Sequence, residues 1–169
     1  MKKLFSISIL LILIVIGMTS CFKKQDGNVI SHEFPKEQWG RFTFLEKDYE
    51  VIKAPITADL VMEIVVSDDY PSLYPSRDAA VGLFPIVLSV KGPDGSKRVR
   101  EYSFHLKDDN GNFKSEKVDG YYHFELPIIN EMRFREVGKY HFKIENKYSK
   151  DPLNGIKSLD VKCLQIKQL

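Results

Sequence analysis

"YHFKI", residues 140–144, alternates apolar and polar side chains at a period of two, as a half-buried β-strand does. The same alternation of residue types recurs in "YSFHL" at 102–106 and in "YHFEL" at 122–126. In each stretch a Tyr, a Phe and a Leu or Ile fall on one face, which is typical of strands that cover a core on one side only. The three stretches therefore predict β-strands with a shared aromatic core face.

Two longer runs and three turns extend this pattern to most of the chain. The apolar positions of the two runs are Ala58, Leu60, Met62, Ile64 and Val66, and then Phe84, Ile86, Leu88 and Val90. Turn signals separate the runs in "KGPDGSK" at 91–97, "KDDNGNF" at 107–113 and "VDGY" at 118–121. No segment after residue 30 keeps a helical period, so we predict an all-β fold. It is a single antiparallel β-sandwich with immunoglobulin-like or jelly-roll connections.

The N-terminus has the layout of a bacterial lipoprotein signal. Lys2 and Lys3 precede a largely apolar run, residues 4–16, and small residues then lead to Cys21. As a helix, thirteen residues span only about 20 Å, against about 30 Å of bilayer core, which disfavours the alternative of a short membrane anchor. We predict a signal peptide at 1–20, a lipidated Cys21 with a tether at 21–30, and the sandwich at 31–169. Acyl chains such as palmitate on Cys21 would hold the protein on the membrane.

Charge and cysteine content narrow the function classes. The chain has 25 basic and 23 acidic residues, and loss of Lys2 and Lys3 with the signal leaves 23 of each. A neutral domain with interspersed charges is not a nucleic-acid binder by electrostatics. If Cys21 is acylated, Cys163 has no partner in the chain. Its alternating surroundings predict a buried structural thiol.

Candidate sites for chemistry are few. His105, His123 and His141 each adjoin a Phe of an aromatic strand, and they could bind zinc only if those strands were neighbours in register. The alternation of Asp108, Asn110 and Asn112 resembles the opening of a calcium loop, but a hairpin explains it better because the later ligand positions do not fit. Motifs of nucleophilic or phosphate chemistry are absent, so we predict a protein that is not an enzyme and needs no cofactor.

Several motifs in order give a family resemblance. They are "EFPKEQW" at 33–39, "SDDYPSLY" at 67–74, "DDNGNFKSEKVDGYY" at 108–122, "GKYHFKIE" at 138–145, "DPLNGI" at 151–156 and "LDV" at 159–161. This order resembles the GldH-type gliding-motility lipoproteins of the Bacteroidota. The chain departs from that pattern in "KYSK" at 147–150, in Phe113 and in an enlarged loop at 75–82.

The resemblance implies a non-catalytic lipoprotein that contacts other proteins of the gliding or type IX secretion machinery. It implies an outer-membrane location facing the periplasm. The loops at 67–82 and 146–156 would form the working surface. The partner-binding candidates are Trp39, Asp69, Tyr70, Asp151, Pro152 and Leu153. Trp39 could also pack over the core instead.

Two other functions stay open. A glycan- or metal-binding module would need an exposed Trp39, several tyrosines on one concave face, or converging histidines. A small hydrolase would need two carboxylates facing each other across a cleft.

Overall fold

The computed structural model describes residues 27–71 and 82–168, and in these ranges the chain forms eleven strands and no helix. The strands are β1 (Gly27–Glu33), β2 (Gln38–Trp39), β3 (Leu45–Val51), β4 (Ile56–Val66), β5 (Leu83–Lys91), β6 (Lys97–His105), β7 (Lys117–Val118), β8 (Tyr121–Phe134), β9 (Gly138–Asn146), β10 (Leu153–Asn154) and β11 (Ile156–Gln168). The first strand begins at Gly27, within the stretch 21–30 that the sequence analysis predicts to be the tether.

Two curled antiparallel sheets make up the sandwich. The first has the order β1-β11-β4-β8-β7, and the second has the order β3-β9-β5-β6. A small third sheet pairs β10 with β2. The prediction of an all-β antiparallel sandwich is confirmed.

The core lies between the inward faces of the two sheets. The even positions of β4 from Ala58 to Val66 and of β5 from Phe84 to Val90 are buried, as their alternation predicts. Tyr140, Phe142 and Ile144 of β9 complete the most buried aromatic strand. Cys163 on β11 is buried, as expected of a structural thiol.

Short turns close one end of the sandwich. The turn between β5 and β6 is held by Gly92 N–H donating to Ser96 O at 2.8 Å. Turns 52–55 and 135–137 lie at the same end, because Val51 pairs with Gly138 and Ile56 pairs with Phe134. We call this end, with its three turns, the proximal end.

Long connections close the opposite end, which we call the distal end. In the described part of the chain they are residues 34–44, 67–71, 106–120 and 147–155. Residues 72–81, part of the predicted working surface, lie outside the described residues. One tight turn here follows its prediction: Asp119 and Gly120 have φ values of 51° and 87°, as a two-residue hairpin requires.

β1 gives the direction in which the chain enters the sandwich. It runs from Gly27, opposite Cys163, to Glu33, opposite Ser158, and so points toward the distal end. Gly27, the first described residue, is thus the end of β1 that lies nearer the proximal end. A search of the described residues finds no helix long and apolar enough to cross a membrane.

Candidate functional site

Three of the sequence motifs meet at the distal end. Leu153 of "DPLNGI" pairs with Trp39 of "EFPKEQW" in the small β10-β2 sheet. Ile156 N–H donates to Glu37 O at 3.2 Å, and Ser67 N–H donates to Gly155 O at 2.9 Å. Segments that are separate in the sequence thus form one hydrogen-bonded surface.

Gly155 lies in close contact with the backbone of Asp69 and Tyr70. Its φ of +72° lies in the left-handed region, and a Cβ on it would overlap the backbone of Asp69 and Tyr70. Only glycine allows both the backbone conformation and this approach. The glycine of "DPLNGI" therefore fits directly against the Asp-Tyr of "SDDYP".

Trp39 anchors the connection 34–44 to the core. Its side chain is fully buried, with its ring 5.5 Å from that of Phe34 and 6.2 Å from that of Phe84. Its indole N–H donates to Thr43 O at 2.7 Å. Buried Asn146 donates to Trp39 O at 3.0 Å and accepts from Tyr148 N–H at 2.8 Å. Asn146 thereby joins the end of β9 to the Trp39 strand.

A second set of hydrogen bonds holds residues 41–44, the last part of the connection 34–44, which we call the rim. Arg41 N–H donates to Asp151 Oδ1 at 2.8 Å. The Arg41 guanidinium donates to Ser149 O at 2.5 Å and to Tyr148 O at 3.3 Å. Charged partners strengthen such bonds, so the 41–44 segment is fixed relative to residues 148–151.

This fixed rim carries an exposed aromatic pair, Phe42 and Phe44. Phe42 is 80% exposed and Phe44 is 43% exposed. The ammonium of Lys143 lies 3.7 Å from the centre of the Phe44 ring. A shallow depression of about 330 Å³ runs between the pair and the end of β9. It is lined by Arg41, Phe42, Phe44, Glu145, Asn146, Lys147, Tyr148 and Ser149. We call Arg41, Phe42, Phe44 and Lys147 the aromatic patch.

A polar cleft of about 550 Å³ lies beside the assembled motifs. It is lined by Pro35, Lys36, Glu37, Gln38, Asp69, Asn154 and Gly155. Tyr121 donates its hydroxyl to the Glu37 carboxylate at 2.9 Å, and this hydrogen bond raises the pKa of Tyr121. The residues that line the cleft include neither histidine nor cysteine.

Next to the cleft, Asp68 forms an ion pair with Lys117 and accepts a hydrogen bond from the Tyr122 hydroxyl at 3.2 Å. The Lys117 hydrogen bond lowers the pKa of Asp68 and raises the pKa of Lys117. Both groups are exposed, so this pair orients side chains more than it stabilises the fold.

Lys107 is buried beneath this end. Its ammonium donates to Tyr70 O at 2.9 Å and lies 4.1 Å from the centre of the Phe113 ring. Burial lowers the pKa of Lys107, although the charge of Asp68 opposes this effect. The Tyr70 hydroxyl is buried as well and donates to Leu83 O at 2.9 Å.

The six predicted partner-binding residues divide into two groups. Asp69, Asp151 and Pro152 are exposed at the distal end, as a contact surface requires. Trp39, Tyr70 and Leu153 are buried, so the prediction that their side chains meet a partner does not fit their positions. Trp39 and Leu153 pair with each other in the β10-β2 sheet, and the backbone of Tyr70 lies against Gly155.

The aromatic patch was not recognised in the sequence. Phe42 and Phe44 are even positions, whereas Leu45, Tyr49 and Val51 are the inward positions of β3. Extending the period of β3 back by one residue places Phe44 outward. That parity is the signal that could have identified Phe44 as a surface residue.

The three histidines do not come together. His105 is on β6 and His141 is on β9, which do not pair with each other, while His123 is on β8 in the other sheet. His141 instead lies 2.9 Å from Asp48. The described residues contain no group of three or more His, Cys, Asp or Glu that could hold a metal ion.

The calcium-like spacing has a local explanation. Asp108 accepts hydrogen bonds from Asn112 N–H at 2.8 Å and Asn110 N–H at 3.0 Å, which lower the pKa of Asp108. Gly111 completes the turn at φ 85°. The segment is a turn held by its own carboxylate and closed by a single antiparallel bridge of Lys107 with Phe113. It is not a hairpin between β6 and β7, which lie in different sheets.

Comparison with known proteins gives the family. The fold and this end define a β-sandwich domain with a loop-built, hydrogen-bonded surface at one end. A family model described as GldH lipoprotein matches residues 30–162, and the chain belongs to that family. It is therefore a lipoprotein, anchored to a membrane by its lipid.

Other comparisons add little. No curated protein matches the chain. Among solved structures, it is similar to an exo-β-1,3-galactanase from Phanerochaete chrysosporium, crystallised with galactose, at 11% identity and a TM-score of 0.37. That match covers 82% of this chain but only 27% of the galactanase, and a likeness this weak supports no argument about function.

Proposed function

We propose that this protein is a non-catalytic envelope lipoprotein that works by protein contact through its distal end. As a GldH-family member, it would serve the gliding-motility or type IX secretion machinery. We place it in the outer membrane of a member of the Bacteroidota, facing the periplasm. Its signal peptide would be residues 1–20, and acylated Cys21 would be its anchor.

The observation that carries the proposal is the exposed aromatic pair on a fixed rim. Aromatic side chains with neighbouring arginine dominate binding energy at protein interfaces. Phe42 is 80% exposed, and Arg41 holds its segment in place. A preorganised apolar surface loses little entropy on binding.

The polar side chains beside this pair suit the rim of such an interface. Asp69, Asp151 and Asn154 are exposed around the cleft and the corner. Interfaces combine a central apolar group with a polar, hydrated border. The glycan-binding alternative loses its main support, because the single tryptophan is buried.

The orientation of the domain fits the same role. β1 starts at Gly27 and runs about 20 Å toward the distal end, at about 3.3 Å per residue. A chain anchored at Cys21 would therefore present the distal end away from its own membrane. A partner in the periplasm could reach the aromatic patch without crossing lipid headgroups.

Site-specific photo-crosslinking in cells tests this function. A photoreactive phenylalanine analogue replaces Phe42 in one strain and Val99 in a control strain. Val99 is also exposed, at 54%, but lies on β6 near the proximal end. We expect the Phe42 position to capture a defined envelope protein of the motility or secretion machinery, and Val99 not to capture it. Equal capture at both positions, or no adduct at either, would contradict the proposal.

A further inference from the structure

The proximal end differs from the rest of the domain in its charge. Residues 50–55, 91–98 and 133–139 contain seven basic residues, Lys53, Lys91, Lys97, Arg98, Arg133, Arg135 and Lys139, and all seven are exposed. The same ranges contain three acidic residues, Glu50, Asp94 and Glu136. The domain as a whole is close to neutral, so this end has a net positive charge that the remainder balances.

Exposed aliphatic side chains stand among these charges. Val51 pairs with Gly138, which brings Ile52 and Val137 to neighbouring positions at the tip of β3 and β9. Ile52 is 68% exposed and Val137 is 58% exposed. Aliphatic tips surrounded by lysine and arginine have the composition of surfaces that lie in a lipid interface.

A depression of about 280 Å³ adds a place for a negatively charged group. Lys97, Arg98, Arg133 and Arg135 line it together with Asp94 and Glu136. Four cations outnumber two carboxylates at this opening, so it favours an anionic occupant such as a phosphate.

The length of the N-terminal segment brings this end to the membrane. Five residues lie between Cys21 and Gly27, and over these six residue-to-residue steps a fully extended chain covers at most about 21 Å. β11 continues five residues past Cys163, the partner of Gly27, which is about 16 Å toward the proximal end. An acylated Cys21 could therefore reach only a few ångströms beyond that end.

We propose that the proximal end is a second membrane contact, which rests on anionic lipid headgroups and inserts Ile52 and Val137 into the interface. The acyl chains supply the attachment, and this end supplies the orientation. The contact keeps the distal end turned away from the bilayer. The occupant is the lipid surface itself, because charge, aliphatic tips and tether length all point to the bilayer that holds the anchor.

Lipid-quenching of reconstituted protein tests the contact. The full mature protein, with acylation of Cys21 verified by mass spectrometry, is placed in vesicles of phosphatidylcholine alone or with phosphatidylglycerol. A fluorophore on Ile52→Cys or Val137→Cys reports quenching by nitroxide lipids. Phe42→Cys at the distal end is the matched control, and Cys163 stays unlabelled because it is buried. We expect quenching at positions 52 and 137 to exceed that at 42 severalfold in anionic vesicles.

Charge variants show whether the headgroups cause the effect. Each basic residue near an anionic surface contributes about 1 kcal/mol, or about fivefold in binding. The variant Lys53→Gln, Lys97→Gln, Arg98→Gln should reduce quenching at 52 to its value in phosphatidylcholine. The matched variant Lys36→Gln, Lys147→Gln, Lys150→Gln at the distal end should leave it unchanged.

Three results would overturn the proposal. The first is equal quenching at 52 and 42. The second is quenching at position 52 that is the same in vesicles with and without phosphatidylglycerol. The third is protection of position 52 in envelope membranes but not in vesicles, which would assign this end to a protein. None of these readouts depends on a partner at the distal end, so they are separate from the test of the proposed function.

Discussion

The two ends of the sandwich are built differently. Three short turns form the proximal end, and their ranges carry seven basic and three acidic residues. Four long connections form the distal end, and their described residues at 34–44, 67–71, 106–120 and 147–155 include seven basic and eight acidic residues. Short turns fix the register of the strands, whereas long connections have room to build a surface.

The long connections gain their shape by bonding to each other. Gly155 contacts the backbone of Asp69 and Tyr70, and Asn146 joins Trp39 to Tyr148. The proximal turns instead follow from local chemistry, such as Ser96 donating to Asp94 at 2.7 Å. A mutation in one connection of the distal end should therefore also disturb the other connections that it contacts.

The largest effect should come from a side chain at Gly155. Gly155→Ala adds a Cβ where the backbone of Asp69 and Tyr70 already lies, in a left-handed backbone conformation. We expect the free energy of unfolding to fall by about 3 kcal/mol or more, measured by urea denaturation. Gly95→Ala in a proximal turn has a similar φ, +81°, but open space around it, and should cost only about 1–2 kcal/mol. Equal losses would mean that the contact with Asp69 and Tyr70 does not constrain the distal end.

A smaller loss is expected at Asn146. Asn146→Ala removes the bonds to Trp39 O and Tyr148 N–H and leaves both backbone groups buried without that partner. We expect a loss of about 2–3 kcal/mol in the same denaturation experiment. Asn154→Ala is the control, because Asn154 is exposed at the same end, and it should change stability by less than about 0.5 kcal/mol. A neutral result for Asn146→Ala would show that the link between β9 and the Trp39 strand is dispensable.

The smallest effect concerns the exposed pair of Asp68 and Lys117. The lowered pKa of Asp68 means that its contribution to stability is present above the unfolded-state pKa, about 3.9, and is lost as the pH falls through the folded-state value. Asp68→Asn should lower the melting temperature slightly at pH 7. The difference from the wild type should disappear in acid. A difference that stays constant or grows as the pH falls from 4 into the acid range would contradict this assignment.

The strands and tight turns could be predicted from the sequence because their signals are local. The period of two from Ala58 to Val66 and the Asp119-Gly120 turn each depend on neighbouring residues alone. The order of strands in the sheets has no such signal. The histidines illustrate this limit, since their parity was predictable but their distribution over β6, β8 and β9 was not.

The candidate site depended on contacts between distant parts of the chain. "DPLNGI" is recognisable as a motif of the family resemblance, but its fit against Tyr70 and Trp39 spans more than eighty residues of sequence. The two-residue β10-β2 pair decides that Trp39 is buried, and a pair this short leaves no pattern to detect. Phe42 and Phe44 are surface residues because Trp39 is anchored below them.

The most direct measurement of the difference between the ends is co-purification from cells with variants at each end. One strain carries Phe42→Ala with Phe44→Ala, and the other carries Val99→Ala. Quantitative mass spectrometry then compares the proteins recovered with the intact lipoprotein at equal abundance. The account predicts that motility or secretion components fall at least about tenfold with the distal variant, which corresponds to about 1.4 kcal/mol of binding, and remain with the proximal one. Equal recovery from both strains would contradict the assignment of partner contact to the distal end.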